Sequence, residues 1–167
     1  MSVHLHPALR PMLPTDGPVL AAIFRAAIDE LTGEDYSPAQ REAWMAAADD
    51  EAAFAKRLAA QLTLLATINH EPVGFAAMKN NDHIDMLYVH PRVAGRGVAN
   101  ALCEAMEVLA AARGTKKITT EASDTARPLF AKRGYTPTRR NTVLVGEEWL
   151  GNTAMEKILP PRKAAVQ

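Results

Sequence analysis

His83-Ile84-Asp85-Met86-Leu87-Tyr88-Val89, then His90-Pro91-Arg92-Val93-Ala94-Gly95-Arg96-Gly97, then Val98 to Arg113: an apolar run of strand length, a glycine-bearing loop and a segment rich in alanine, leucine and glutamate follow without a linker. This order decides the fold, because a helix that begins directly after a buried strand presents unpartnered N–H groups and the positive end of its dipole. Such a place binds phosphate. Gly95 and Gly97 can take positive φ, so successive amides can converge and a pyrophosphate can approach the main chain, with Arg96 adding charge at the rim. An ordinary strand-to-helix connection also uses such glycines. Two other anion motifs are excluded: there is no Gly-Lys-Ser or Gly-Lys-Thr of a P-loop, and the third glycine and ribose acid of a dinucleotide fingerprint are not at the required spacing.

Upstream of this stretch, Leu9 to Met12 reads as a short strand, and the apolar period Val19, Leu20, Ile23, Phe24, Ala27, Ile28, Leu31 as a helix with one apolar face. Ser37-Pro38-Ala39-Gln40 carries a cap, a proline at the first helical position and a glutamine at the third, and so starts a second helix containing Trp44. Asp49 and Asp50 open a third helix ending near Gln61, and Leu62 to Ile68 turns at Asn69-His70 into Val73 to Met78. Asn80-Asn81-Asp82 turns again into the strand His83 to Val89. Downstream, Gly114 ends the long helix, Lys117 to Glu121 is a strand, Ala126 to Arg133 a short helix closed by Gly134, and Val143 to Val145 and Ala154 to Leu159 are final strands. The tail Pro160 to Gln167 reads as frayed. The order β-α-α-α-β-β-β-α-β-α-β-β describes a mixed α/β layer fold, expected to be a single domain over residues 1–167 with its core at about 9–159.

The 167 residues, 48% apolar and 23% charged, suffice for one buried core. Nineteen Lys and Arg balance nineteen Asp and Glu, so no global charge draws the chain to nucleic acid or membrane, and an anion site must be local. The lone Cys103 cannot form an internal disulfide, and the first residues show neither a signal peptide nor a membrane span. A cytoplasmic protein is expected.

Leu87-Tyr88-Val89-His90-Pro91 followed by Gly95-Arg96-Gly97-Val98-Ala99 resembles the central motif of GNAT N-acetyltransferases: a strand ending in Val-x-Pro, then the Arg/Gln-x-x-Gly-x-Gly/Ala pyrophosphate loop. Arg92 to Gly97 fits the letters. Ala94 to Ala99 keeps the distance from the strand end and is the preferred register, with Ala94 where Gln or Arg is usual. Ser123-x-x-Ala126-x-x-x-Phe130-x-x-x-Gly134-Tyr135 resembles the family's downstream Asn-x-x-Ala-x-x-x-Tyr-x-x-x-Gly-Phe. Tyr36-Ser37-Pro38, Trp44, Ile84 to Leu87 and Trp149 are similar to a small YafP-like bacterial branch. The resemblance implies a mixed, mostly antiparallel central sheet with flanking helices and splayed central strands. It implies acetyl-CoA as co-substrate, with the pantetheine arm along the main chain of Leu87, Tyr88 and Val89, and an amide there polarising the thioester carbonyl. The diphosphate falls on Ala94, Gly95, Arg96, Gly97, Val98 and Ala99, with Ser123 and Phe130 beside the CoA; no metal is implied.

An amine attacks only when unprotonated, so a lysine-like acceptor of pKa about 10.4 needs a base or a water relay. His83 and Asp85 lie two apart, expected to share a face with Leu87 and Val89, and Glu121 is on the next strand. His83 matches the family's glutamate base in some members. Asp85 is the preferred candidate, each being otherwise a salt-bridged or solvated side chain. Phe130 replaces the family's tyrosine acid, leaving water, Tyr135 or Tyr88 to protonate the thiolate; Cys103 reads as a structural thiol. Tyr36, Trp44 and Trp149 are the expected acceptor-binding side chains. The function implied is direct transfer of acetyl from acetyl-CoA to a small-molecule or peptide amine in a ternary complex, with a homodimer as the candidate assembly. The rival is a non-catalytic acyl-CoA-binding or sensing module, motivated by Phe130 and Ala94.

Overall fold

Asn69 and His70 sit at φ of 50° and 67°, and Asn80 and Asn81 at 52° and 60°, the left-handed conformations that tight hairpin turns require and asparagine tolerates. These turns join β2 (Leu62–Ile68) to β3 (Glu71–Lys79) and β3 to β4 (His83–Val89). In the computed structural model, which describes residues 3–161, β1 (Ala8–Pro11), β5 (Lys117–Ser123), β6 (Thr136–Val145) and β7 (Glu148–Ile158) complete a seven-stranded sheet. Its order is β1-β2-β3-β4-β5-β7-β6, antiparallel throughout except where β4 meets β5. The chain thus has the mixed α/β fold that its element order implies, with the mostly antiparallel sheet that the family resemblance implies.

β2 and β3 are buried along nearly their whole length, because helices cover both faces. On one face α1 (Gly17–Leu31) and α3 (Glu51–Ala59) place Leu20, Phe24, Phe54 and Leu58 against Leu65 and Phe75. On the other α4 (Val98–Ala112) places Val98, Leu102 and Met106 against Leu64, Ala76 and Met78. Truncating one of these leucines to alanine costs about 2–5 kcal/mol. The capping box starting α2 (Pro38–Met45) forms as its residues imply: Ser37 Oγ accepts the Gln40 N–H at 3.1 Å, and Gln40 Oε1 accepts the Ser37 N–H at 2.8 Å. Asp50 caps α3 through the Ala53 N–H at 3.0 Å. α5 (Arg127–Lys132) follows β5. Among the described residues no helix is long and apolar enough to cross a membrane.

The largest difference from the sequence reading is at β6 and β7. Both are far longer than the apolar triplet at Val143 and the segment from Ala154 imply. The first half of β6 is exposed, so it carries no alternating apolar signal, and Pro137 lies where the register slips between Pro137 and Arg139. An edge strand tolerates both, since its outer N–H groups have no ladder to join. The tail beyond residue 161 lies outside the described residues.

Candidate active site

β4 and β5 pair at only two positions, His83 with Thr119 and Ile84 with Thr120, and then diverge. The gap that opens is lined on one side by β4 main chain. His90 gives its N–H to the Val73 carbonyl at 2.8 Å, and main-chain groups alternate sides along a strand. Tyr88, two residues earlier, therefore also turns its main chain to β3, while the N–H and C=O of Leu87 and Val89 face the gap. Of the three residues expected to pair with a pantetheine arm, two present main chain to it and Tyr88 does not.

A β-bulge corrects a second expectation. β3 pairs Ala77 with Met86 and Met78 with Ile84, leaving Asp85 as the extra residue. One inserted residue switches the facing of everything before it. Ile84, Leu87 and Val89 consequently pack on the α4 side, and Met86 and Tyr88 on the α1–α3 side. Asp85 reaches Arg57 of α3 and Gln61. It does not share a face with Leu87 and Val89, because strict two-residue alternation fails at the bulge.

At the far end of the gap Gly97 caps α4 at φ 94° and Gly95 adopts φ 72°. Among the described residues the amides of Gly95, Arg96, Gly97, Val98 and Ala99 have no acceptor, whereas Ala94 gives its N–H to the Pro91 carbonyl at 3.1 Å. Five consecutive donors at a helix mouth form an anion nest, and Ala94 is not part of it. Arg96 is turned elsewhere: its Nε donates to the Val3 carbonyl at 2.9 Å and its own carbonyl accepts the Leu5 N–H at 2.7 Å. Its side chain pins the N-terminal segment and does not form the charged rim expected of it. A cavity of about 350 Å³ runs from Gly95 and Gly97 along Leu87 and Val89 to Ser123. A second, of about 310 Å³, lies on the α1–α3 side, and the two share Leu87, Tyr88, Ser123 and Ala126.

The model of the Acetyltransferase (GNAT) domain matches residues 32–159. The chain belongs to the GNAT acetyltransferase family. An uncharacterized N-acetyltransferase of Escherichia coli K12, YafP, is 34% identical over 147 residues, spanning 88% of this chain and 93% of that protein. A GCN5-related N-acetyltransferase from Rhodopseudomonas palustris, in a crystal structure also described as aminotransferase, class-II, superimposes with a TM-score of 0.92 at 57% identity, over 95% of this chain and 99% of that one. The PaiA N-acetyltransferase of Thermoplasma acidophilum, solved in complex with coenzyme A, shares the fold at a TM-score of 0.76 and 16% identity, over 92% and 99% of the two chains.

In this GNAT chain the 310 Å³ cavity gathers His83, Asp85 and Glu121 with Tyr36 and Trp44. The three candidate bases are not equivalent. Arg57 Nη2 meets both Asp85 oxygens at 3.2 and 3.0 Å, Gln61 Nε2 donates at 2.8 Å, and Lys79 Nζ lies 3.4 Å away. Burial pushes the Asp85 carboxyl up, but the Gln61 amide, Arg57 and Lys79 outweigh it and hold the group below the usual carboxylate range. Asp85 is thus a committed anion and a weak base. Glu121 is exposed on the cavity wall. His83 contacts Thr119 Oγ1 through Nδ1 at 2.8 Å and has no partner at Nε2 among the described residues.

The aromatic wall is tied together. Tyr36 Oη donates to the Gly151 carbonyl at 2.7 Å and accepts the Asp124 N–H at 2.9 Å, and Trp44 Nε1 donates to Tyr88 Oη at 3.2 Å. Burial pushes the Tyr88 hydroxyl well above its ordinary pKa. Trp149 is elsewhere: it is 59% exposed and lines neither cavity. Phe130 lines the acceptor-side cavity and packs on Tyr135 with ring centroids 5.0 Å apart. Tyr135 is no substitute acid, since its hydroxyl donates to buried Glu107 at 3.0 Å, itself held by Arg133 and Lys157. Burial pushes the Cys103 thiol up to about 12, which leaves it inert at neutral pH. Arg57, Val143, Val145 and Leu150 also line the cavity, and sequence reading missed them. Arg57 sits in an alanine-rich helix with no motif, whereas the alternation of Val143 and Val145 was a usable signal for a shared inward face.

Proposed function

We propose that this protein transfers the acetyl group of acetyl-CoA directly to an amine acceptor in a ternary complex. The reading is carried by one observation: a cavity that begins at five amides with no acceptor among the described residues and a cavity walled by aromatic and titratable side chains meet in the gap between β4 and β5. The CoA diphosphate binds the amides of Gly95 to Ala99, and the pantetheine arm lies along Leu87 and Val89. A gap-facing N–H polarises the thioester carbonyl; one such donor is worth about 2.7–4 kcal/mol in other acyl-transfer enzymes. The acceptor occupies the cavity of Tyr36, Trp44 and Tyr88.

His83 is the general base in this reading. Protonating Asp85 would break its pairs with Arg57 and Lys79, whereas Nε2 of His83 has no partner among the described residues. As the amine nitrogen bonds to the acetyl carbon and the C–S bond breaks, the amine proton passes to His83, directly or through water. The thiolate leaves and takes its proton from solvent, as Phe130 has none to give. The buried, high-pKa Cys103 argues against an acyl-cysteine route. The test is thiol release from acetyl-CoA across a panel of small amines and peptides: acceptor-dependent release is expected, and binding of acetyl-CoA without release to any acceptor would favour the sensing module.

A further inference from the structure

The hydroxyl of Thr119 stands between two groups at the apex of the gap. Thr119 Oγ1 is 2.8 Å from His83 Nδ1 and 3.3 Å from the Asp82 carbonyl oxygen. A threonine hydroxyl has one proton and two lone pairs. If it donates to Nδ1, a single hydrogen bond forms. If it donates to Asp82, Nδ1–H donates to Oγ1 and two form. The Asp82 carbonyl already accepts the Thr119 N–H at 2.8 Å and has a second lone pair for the hydroxyl. The arrangement that uses more of the available partners puts the imidazole proton on Nδ1 and leaves Nε2 with a lone pair.

We propose that Thr119 is a positioning residue that holds His83 in its Nδ1–H tautomer, so that Nε2 is the atom that takes the acceptor's proton. The catalytic part rests on His83 as base; the tautomer itself does not. β4 and β5 pair only here, at His83–Thr119 and Ile84–Thr120, so the contact that fixes the ring is also where the strands are last held together before the gap. Proton balance is simple. The amine proton goes to Nε2, the imidazolium keeps donating through Nδ1 to Thr119, and the Nε2 proton is later released to solvent. The other charged walls of the cavity are Asp85, Arg57 and Glu121, and Asp85 is occupied by Arg57 and Lys79.

The experiment is nitrogen-15 NMR of the full-length protein at alkaline pH, with the His83 signals assigned by their loss in His83→Gln, together with turnover of Thr119→Val and Thr119→Ser. The expected result is a protonated Nδ1 and unprotonated Nε2 in the wild type, and a shift toward the Nε2–H form in Thr119→Val. That variant should lose roughly 3–10-fold in kcat, the worth of one ordinary hydrogen bond, with KM for acetyl-CoA unchanged. Thr119→Ser should restore both the tautomer and most of the rate. A protonated Nε2 in the wild type, or an unaltered tautomer in Thr119→Val, overturns the proposal. A tautomer as stated combined with full kcat in His83→Gln overturns His83 as base and removes the catalytic role of Thr119, while the hydrogen-bond assignment survives.

Discussion

At the α4 end of the gap the groups that face a ligand are main-chain amides of five neighbouring residues, Gly95 to Ala99, whereas at the acceptor end they are side chains brought from α1, α2, α3, α5, β4, β5, β6 and β7. The first end needs only a strand end, two glycines at positive φ and a helix start. The second depends on contacts such as Tyr36 Oη to the Gly151 carbonyl, 115 residues apart in sequence. A main-chain site is local and tolerant of side-chain identity; a side-chain site is non-local and exacting. The two ends should therefore fail differently when mutated.

Gly97→Glu is expected to have the largest effect. An ideal Cβ at Gly97 would lie 2.3 Å from His4 Cε1, and φ there is 94°, a conformation that costs an L-residue about 1–2 kcal/mol. A carboxylate would also face the diphosphate. Calorimetry should show CoA affinity down by more than about 100-fold, to which the strain alone contributes a factor of about 5–30. Gly95→Ala sharpens the point, because an added Cβ there meets nothing within 4 Å. Only the strain remains, so the affinity loss should stay near the lower end of that range. Equal losses for both would mean that clash and charge at residue 97 play no part.

His83→Gln tests the other end. Removing a general base lowers kcat by about 10²–10⁴-fold and should leave CoA affinity as it was. A parallel loss of CoA affinity would show that the two ends are not separable.

How much was legible follows the same division. The strand His83–Val89, the loop glycines and the start of α4 at Val98 stand in the structure where the sequence implies them, as do the turns at Asn69-His70 and Asn80-Asn81. Each is set by nearest-neighbour chemistry. Three features were not legible. The bulge at Asp85 leaves no signature in His83-Ile84-Asp85-Met86, because it is a property of the pairing with β3. The use of Arg96 to hold Val3 and Leu5 needs the path of the N-terminal segment. Most of β6 is an exposed edge whose residues need not alternate.

Asp85→Asn addresses the bulge. Its carboxylate is held below the ordinary range in the folded state. The stability it contributes is therefore present above the unfolded value of about 3.9 and is lost as pH falls through the lower folded value. The variant should unfold more readily at neutral pH, by about 1–3 kcal/mol, toward the low end since Arg57 and Lys79 are half-exposed. Below about pH 3.9 its deficit should shrink, because the wild type loses the same pairing. A deficit that stays constant through the acid limb would mean that the Asp85 pairs are not what stabilises this corner. Turnover should fall less than in His83→Gln; an equal or larger fall would return Asp85 to the role of base.

The smallest effect separates two tryptophans that look alike in sequence. Trp44 lines the acceptor cavity, with its ring 5.3 Å from that of Tyr36 and its Nε1 on Tyr88. Trp149, opposite Leu144 on the β6–β7 hairpin, is exposed. Trp44→Phe removes the N–H that meets Tyr88 Oη and should raise the acceptor KM several-fold, in line with one hydrogen bond of about 0.5–1.5 kcal/mol. Trp149→Ala removes a side chain already in water; it should leave the acceptor KM and kcat unchanged and alter stability by no more than about 0.5 kcal/mol. What Trp149 gives the fold toward the acceptor side is its carbonyl, which accepts Gln40 Nε2 at 2.8 Å and so ties α2 to β7. That bond survives any substitution that keeps the strand, so an acceptor KM that rises in Trp149→Ala would show that the indole itself reaches the substrate and that the acceptor end extends across the hairpin.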